Sequence, residues 1–258
     1  MRFMVFDIET VPDTDLGAKI LGLSDISEED IAKAMVFNQT QKTGSDFLPL
    51  FQHKIVAISV AWRSEEGFKV WSLGESDSPE KDLIQRFFDG IDRYTPGLVS
   101  WNGSGFDLPV LHYRSLVHHV QAPRYWENGD NDRDFRYNNY QNRFHWRHID
   151  LMDVLSGFQS RARASLDDIA TMLGFPGKMG MGGDKVWDCF RQGQIKQIRD
   201  YCETDVLNTY LVYLQFQFIR GEIDATQLED EFKLVRDVLS QANKDQNHLV
   251  EFSKAWLD

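Results

Sequence analysis

Three short groups of side chains in this 258-residue chain have the types and spacing for cation-assisted hydrolysis. Asp7 and Glu9 are two apart, and on a strand such side chains leave the same face, so their carboxylates can share one cation or straddle two. Asn102 and Asp107 flank the glycine-bearing turn Gly103-Ser104-Gly105-Phe106. Tyr201 and Asp205 are four apart, which in a helix sets their Cβ atoms about 5–6 Å from each other on one face and puts a phenol beside a carboxylate. Each group also has a plainer reading. An acidic pair at a strand end suits a solvated turn, Asn and Asp around a turn are ordinary caps, and a Tyr hydroxyl can be held by an exposed carboxylate. The surroundings of Asp7 and Glu9 weigh the other way, because an apolar strand makes two adjacent carboxylates costly without a cation or another partner.

The elements that must position these residues follow from periodicity. Residues 2–8 predict a strand, ended by Pro12, with Asp7 and Glu9 at its carboxyl end. Over residues 13–50 the strand rhythm breaks; Ser27 with Asp30 caps a helix over SEEDIAKAMVF, and the polar NQTQKTGSD reads as the mobile tip of an insertion. Residues 54–62 and 68–73 form an antiparallel hairpin around RSEEG, giving three strands before the first long helix. That helix spans 78–94, with Ser78 as cap, Pro79 at its first position and Leu83, Ile84, Phe87, Phe88 and Ile91 on the apolar stripe. A short strand at 97–101, a turn, and a helix over 106–120 with Pro109 in its first turn place Asn102 and Asp107 at a strand's carboxyl end. A strand over 144–152, helices over 164–175 and 193–218, and an amphipathic helix over 224–256 complete the chain. This order is that of an α/β fold with a mixed sheet, whose polar groups gather outside the carboxyl ends of parallel strands. It reads as a single domain over 1–258, with insertions at about 13–50 and 121–145 and a helical C-terminal extension at about 222–258.

In their order, DIET, NGSGFD and YCETD resemble the motifs of the DEDD exonuclease superfamily, the ribonuclease-H-like nucleases that include polymerase proofreading domains. Tyr201 with Asp205 marks the tyrosine branch, since the histidine branch would have His where Asp200 stands. HIDLMDVL and SLDDIATMLGFPGK look like stand-alone bacterial nucleases similar to the proofreading domain of family-B DNA polymerases, and the resemblance covers about residues 1–218. It implies a sheet of about five strands flanked by helices, and two divalent metal ions, Mg or Mn. It implies hydrolysis at the 3′ end of DNA, single-stranded by preference, releasing nucleoside 5′-monophosphates. Residue by residue, Asp7 would bridge both cations, Glu9 and Asp205 would complete one site, and Asp107 would hold the second through water. Tyr201 would orient the attacking water, its phenol being too weak an acid to serve as the base. Ile8, Thr10, Asn102 and Phe106 would meet the terminal nucleotide, with a core role for Phe106 equally open. The alternatives are an exoribonuclease resembling ribonuclease D, because no residue that senses a 2′-hydroxyl can be picked out, a non-catalytic nucleic-acid-binding module, or a scaffold holding a structural cation. Presence of all four carboxylates and Tyr201 argues against the binding module.

A net charge of −12 and a pI near 5.0 argue against clamping a long nucleic-acid backbone, which takes Lys and Arg. A strand-end nuclease escapes this objection, because bound metals supply the positive charge. No apolar run spans a bilayer and the N-terminus enters a strand at once, so a cytoplasmic protein with neither membrane partner nor signal peptide is expected. Cys189 and Cys202 lack CxxC spacing and read as ordinary buried thiols. Asp150 and Asp153 read as caps, and the histidines show no zinc pattern. Lys178 and Lys185 either touch phosphate or decorate a solvated loop. Residues 121–147 interleave arginines with aromatics, as a stacking surface for single strands or a loop over the sheet edge.

Overall fold

The computed structural model describes residues 2–257, so Met1 and Asp258, the ends of the expected 1–258 unit, lie outside the described residues. Alternation along β1 (Phe3–Pro12) decides the layering. Met4, Phe6 and Ile8 enter one core and Phe3 and Val5 the other, so Asp7 and Glu9 continue the second face of the strand. Two helices follow, α1 (Thr14–Leu21) and α2 (Glu28–Thr43), then the hairpin of β2 (His53–Ser64) and β3 (Gly67–Ser72). Next come α3 (Glu80–Tyr94), β4 (Gly97–Ser100), α4 (Asp107–His118), β5 (His148–Asp150), α5 (Leu151–Leu155), α6 (Leu166–Met172) and α7 (Val186–Arg191). The long α8 (Ile195–Ile219), α9 (Ala225–Ser240) and α10 (Asn247–Leu257) end the chain.

The five strands form one mixed sheet in the order β3-β2-β1-β4-β5. The hairpin side is antiparallel, while β4 and β5 run parallel to β1. This is the ribonuclease-H-like α/β arrangement expected from the sequence. α3 and α4 cover the Met4, Phe6 and Ile8 face, and α6, α8, α9 and α10 cover the other. β4 accompanies β1 only as far as Val5, opposite Val99. Beyond that point β1 stays paired with β2, Asp7 facing Ser59 and Glu9 facing Ala57, but its other edge has no strand beside it. The sheet opens there, and the carboxylates lie at the opening.

Several sequence expectations need correction. β1 does not stop short of Pro12 but runs through it, as proline tolerates a strand's last residue. The polar NQTQKT is not a mobile tip: it extends α2 to Thr43, being rich in good helix formers, and Gly44 closes the helix at φ 76°. Ser27 caps this helix as read, accepting from the Asp30 N–H at 3.1 Å. Because α2, at 16 residues, is as long as α3, a long helix already follows the first strand, and three strands do not precede the first long helix. Pro79 occupies the N-cap of α3, while Ser78 instead accepts from the Glu75 N–H at 2.8 Å. β5 keeps only three residues of the expected 144–152 strand. The C-terminal helix is two helices, parted where Asn243 starts a new capping box; α10 folds back so that Leu249 and Phe252 join the core. In the 121–147 segment, Tyr125, Phe135 and Tyr140 are core, and the Arg124 and Arg147 guanidiniums lie 4.3 and 4.0 Å from the Phe135 ring centre. Much of its cation and aromatic content is therefore spent on packing.

Candidate active site

Three elements around the sheet opening bring the carboxylates together. From β1, Asp7 and Glu9 project toward α8, which contributes Tyr201, Cys202 and Asp205 from its N-terminal half. From the other side α4 begins with Asp107, whose Oδ1 accepts the backbone N–H of Ile8 at 3.1 Å. The turn that aims α4 is held tightly. Asn102 is left-handed at φ 63°, and its carbonyl accepts from Gly105 and Phe106, both at 2.9 Å. Asp150 accepts from the Asn102 and Ser104 N–H groups, also at 2.9 Å each, and caps α5, in keeping with its reading as a structural acid. A Cβ on Gly105 would stand 2.5 Å from Asn102 Oδ1, so any other residue there would push the Asn102 side chain aside.

Asp7, Glu9, Asp107, Tyr201 and Asp205 all line one cleft of about 360 Å³, together with Ile8, Asn102 and Phe106. Thr10 is not in this cleft. The ladder bulges between Glu9 and Thr10, leaving Val56 of β2 without a partner, and the Thr10 hydroxyl bonds His53 Nδ1 at 2.8 Å beside a neighbouring groove. The Ile8 N–H, expected near the terminal nucleotide, is committed to Asp107.

Glu9 and Asp107 are buried at 7% and 3% exposure. Burial, and then the neighbouring carboxylates, push Asp7 and Glu9 well above the usual carboxylate range. Burial likewise raises Asp107 to about 7 and Asp205 to about 6, the latter against a hydrogen bond from Tyr201 and the Lys178 ammonium. The Tyr201 phenol is driven upward by burial and by the acids around it, so it remains a proton donor. Oxygen donors crowded this closely and cut off from water fit a hard divalent cation, which would offset the burial, and for Asp7 and Glu9 also the repulsion, that now keeps protons on them.

Two further residues meet the carboxylates. Cys202 is no ordinary thiol: its Sγ is 3.4 Å from the Asp7 carbonyl and 3.5 Å from Asp7 Oδ2, and one donor atom each from Asp7, Glu9 and Cys202 falls within 4.8 Å of the others. The signal was its place three residues before Asp205, on the same helical face. Lys178, left open between phosphate contact and solvated loop, lines the cleft and acts on both Glu9 and Asp205. Behind the cleft Ser59, opposite Asp7, shares a 2.9 Å hydrogen bond with Ser72, which donates to Glu203 at 2.7 Å. Glu203 meets His248 of α10 at 2.8 Å.

A mixed five-stranded sheet that opens over a nest of carboxylates defines a ribonuclease-H-like α/β protein with an acidic cleft. Residues 45–256 match the family described as "predicted 3′-5′ exonuclease related to the exonuclease domain of PolB", and the chain belongs to that family. Asn102, Phe106, Asp107, Tyr201 and Asp205 fall inside the matched segment; Asp7 and Glu9 precede it. Among solved structures, the family B DNA polymerase of the hyperthermophilic archaeon Pyrobaculum calidifontis is similar at 17% identity and a TM-score of 0.49, over 100% of this chain and 28% of that one. The chain thus spans well under half of that polymerase. No curated protein matches. Among the described residues, no helix is long and apolar enough to cross a membrane.

Proposed function

We propose that this 3′–5′ exonuclease depends on divalent metal and removes nucleotides from the 3′ end of single-stranded DNA, releasing nucleoside 5′-monophosphates. The observation that carries the reading is the convergence of Asp7, Glu9, Asp107 and Asp205, with Tyr201, on one cleft in which burial raises all four of these carboxylates. Asp7, Glu9, Asp107 and Asp205 would hold two ions, Mg or Mn. When bound, such a pair supplies an activated water on one side of the phosphorus and stabilises the departing 3′ oxygen on the other.

The chain's own groups do the positioning. Tyr201 keeps its proton, and its hydroxyl holds the water in line by hydrogen bond rather than deprotonating it. Lys178 brings an ammonium to the cleft beside Glu9 and Asp205, where an incoming phosphate adds further negative charge. Asn102 and Phe106 sit at the mouth, where the terminal nucleotide would enter. The water oxygen bonds to phosphorus as the P–O3′ bond breaks, leaving a 3′-hydroxyl on the shortened strand and a 5′-monophosphate in solution. DNA as substrate is supported by the family's relation to a DNA polymerase exonuclease domain.

Purified protein should shorten 5′-labelled single-stranded DNA in steps with Mg²⁺ or Mn²⁺, and Asp7→Ala should stop it. RNA shortened faster than DNA would reassign the substrate. Both substrates left intact under both metals would refute the reading.

A further inference from the structure

A groove of about 1040 Å³, roughly three times the carboxylate cleft, adjoins it and shares Ile8, Glu9, Asn102 and Phe106 with it. α2 forms one wall and α7 another. Along α2, Glu29, Ala32, Lys33, Val36, Phe37 and Thr40 recur at helical spacing on this side, while Ile31 and Met35 pack in a small core with the α1 side. α2 thus presents a second, partly apolar face that the described chain leaves open. Phe37 is 66% and Phe47 55% exposed, an unfavourable arrangement in water unless something covers them. Phe47, His53 and Phe106 form an aromatic trio with ring centres 5.3 to 5.8 Å apart, leading toward the cleft.

The charges say how an occupant would lie. Lys33 and Arg191 both pair with Glu29, and Asp46, Asp184 and Asp188 also line the groove, so its walls do not attract an anionic backbone. They offer flat apolar faces. Unpaired bases fit that chemistry, with their phosphates turned to the open side, because every base has a π face that stacks on an aromatic ring. The ion pair between Glu29 and Arg191 ties α2 to α7 across the groove.

We propose that this groove holds the unpaired nucleotides just 5′ of the one being removed, their bases on Phe37, Phe47 and Phe106, so that the residue 13–50 insertion selects single strands. This rests on the nuclease reading of the neighbouring cleft. It differs from electrostatic strand capture, since stacking adds little dependence on salt.

The test compares two substrates in the whole protein. The p-nitrophenyl ester of thymidine 5′-monophosphate fills only the cleft; a 5′-fluorescein oligothymidylate would occupy both cleft and groove. In the double variant Phe37→Ala/Phe47→Ala, the oligonucleotide KM should rise at least about tenfold. Ester hydrolysis, kcat and the salt dependence of KM should be unchanged, and Phe37→Trp should keep the wild-type KM. Fluorescence anisotropy in EDTA should show the same loss of oligonucleotide affinity. An unchanged oligonucleotide KM and affinity, or an equal rise for the ester, overturns the groove assignment alone. Wild-type protein that cleaves neither substrate overturns the nuclease reading, and anisotropy then judges the groove by itself.

Discussion

Asp107 and Ile8 meet across 99 positions of sequence, the carboxylate Oδ1 accepting the backbone N–H at 3.1 Å. β4 leaves β1 after Val5, so this N–H faces the opening of the sheet, and the first residue of α4 fills the place of the missing strand. One side chain thereby closes the ladder and offers its carboxylate to the cleft.

That double duty separates two variants. Asp107→Asn keeps an oxygen for the Ile8 N–H and removes the charge; Asp107→Ala leaves the N–H buried and unsatisfied, at about 1–3 kcal/mol. Both should lose at least about 10²-fold in nuclease kcat. In EDTA, denaturant unfolding should rank Asp107→Asn at or above wild type and Asp107→Ala below Asp107→Asn. Equal stabilities for the two variants would show that the hydrogen bond carries no structural weight.

The metal-free protein should lose stability as pH rises above about 7.5. Burial pushes His112 and His148 down to about 4 and also lowers His53, so the unfolded chain holds protons there that the folded chain lacks, an opposing effect that fades once the pH passes about 7.5. Asp107, raised by burial to about 7, and Asp7 and Glu9, raised well above their usual range, keep protons that the unfolded chain has released. Above about pH 7.5 the folded state binds more protons, and stability therefore falls with pH. Asp107 alone removes about 1 kcal/mol between pH 6.5 and 8.5, roughly what the three histidines add over the same range, so the net fall shows above about pH 7.5, where Asp7 and Glu9 carry it. Thermal scans in EDTA should show a falling Tm between pH 7.5 and 8.5, and Mn²⁺ should stabilise more at pH 8.5 than at pH 6.5. A flat or rising Tm in EDTA between pH 7.5 and 8.5 would contradict the raised carboxylates.

Tyr201→Phe removes the hydroxyl that bonds Asp205 while leaving the ring packed against the small core that holds Ile198 and Val186. A water-orienting role predicts a kcat lower by on the order of 10²-fold, with KM and Tm nearly unchanged. Steady-state kinetics with a calorimetric melt decide it; a lower Tm with kcat intact would make the tyrosine structural instead.

What the sequence made legible was local. Period-two alternation put Asp7 and Glu9 on one face, and helical spacing paired Tyr201 with Asp205, because both follow from backbone geometry alone. The convergence of these pairs with Asp107 depends on β4 ending early and α4 entering the gap, a matter of tertiary register that no local pattern records. Cys202 looked like core because its neighbours Ile198 and Val206 are core; its contact with Asp7 is made across 195 residues. α2 was read short because its polar half lacks an apolar stripe, although helix-forming residues and the Gly44 cap suffice. The break before α10 was hidden by apolar residues that resume on the same period after Asn243.

That break matters because α10 returns His248 to α8 within reach of two carboxylates. Its Nε2 is 2.8 Å from Glu203, and its Nδ1 lies 3.2 Å from Asp200, off the line of a hydrogen bond. Burial raises the Glu203 carboxyl, but hydrogen bonds from His248 and Ser72 outweigh it and hold the group below its usual value. Removing one partner of a buried pair costs about 3–5 kcal/mol when nothing else compensates. Ser72 still donates to Glu203, so His248→Ala should cost about 2 kcal/mol, or about 4–8 °C in Tm. Glu203→Gln added to His248→Ala should recover part of that loss, because a neutral amide no longer needs the imidazole. A double-mutant cycle by chemical denaturation measures the coupling, and strictly additive losses would show that His248 anchors α10 by packing alone. Well below the melting temperature His248→Ala should keep its nuclease kcat, since no part of the imidazole lines the carboxylate cleft.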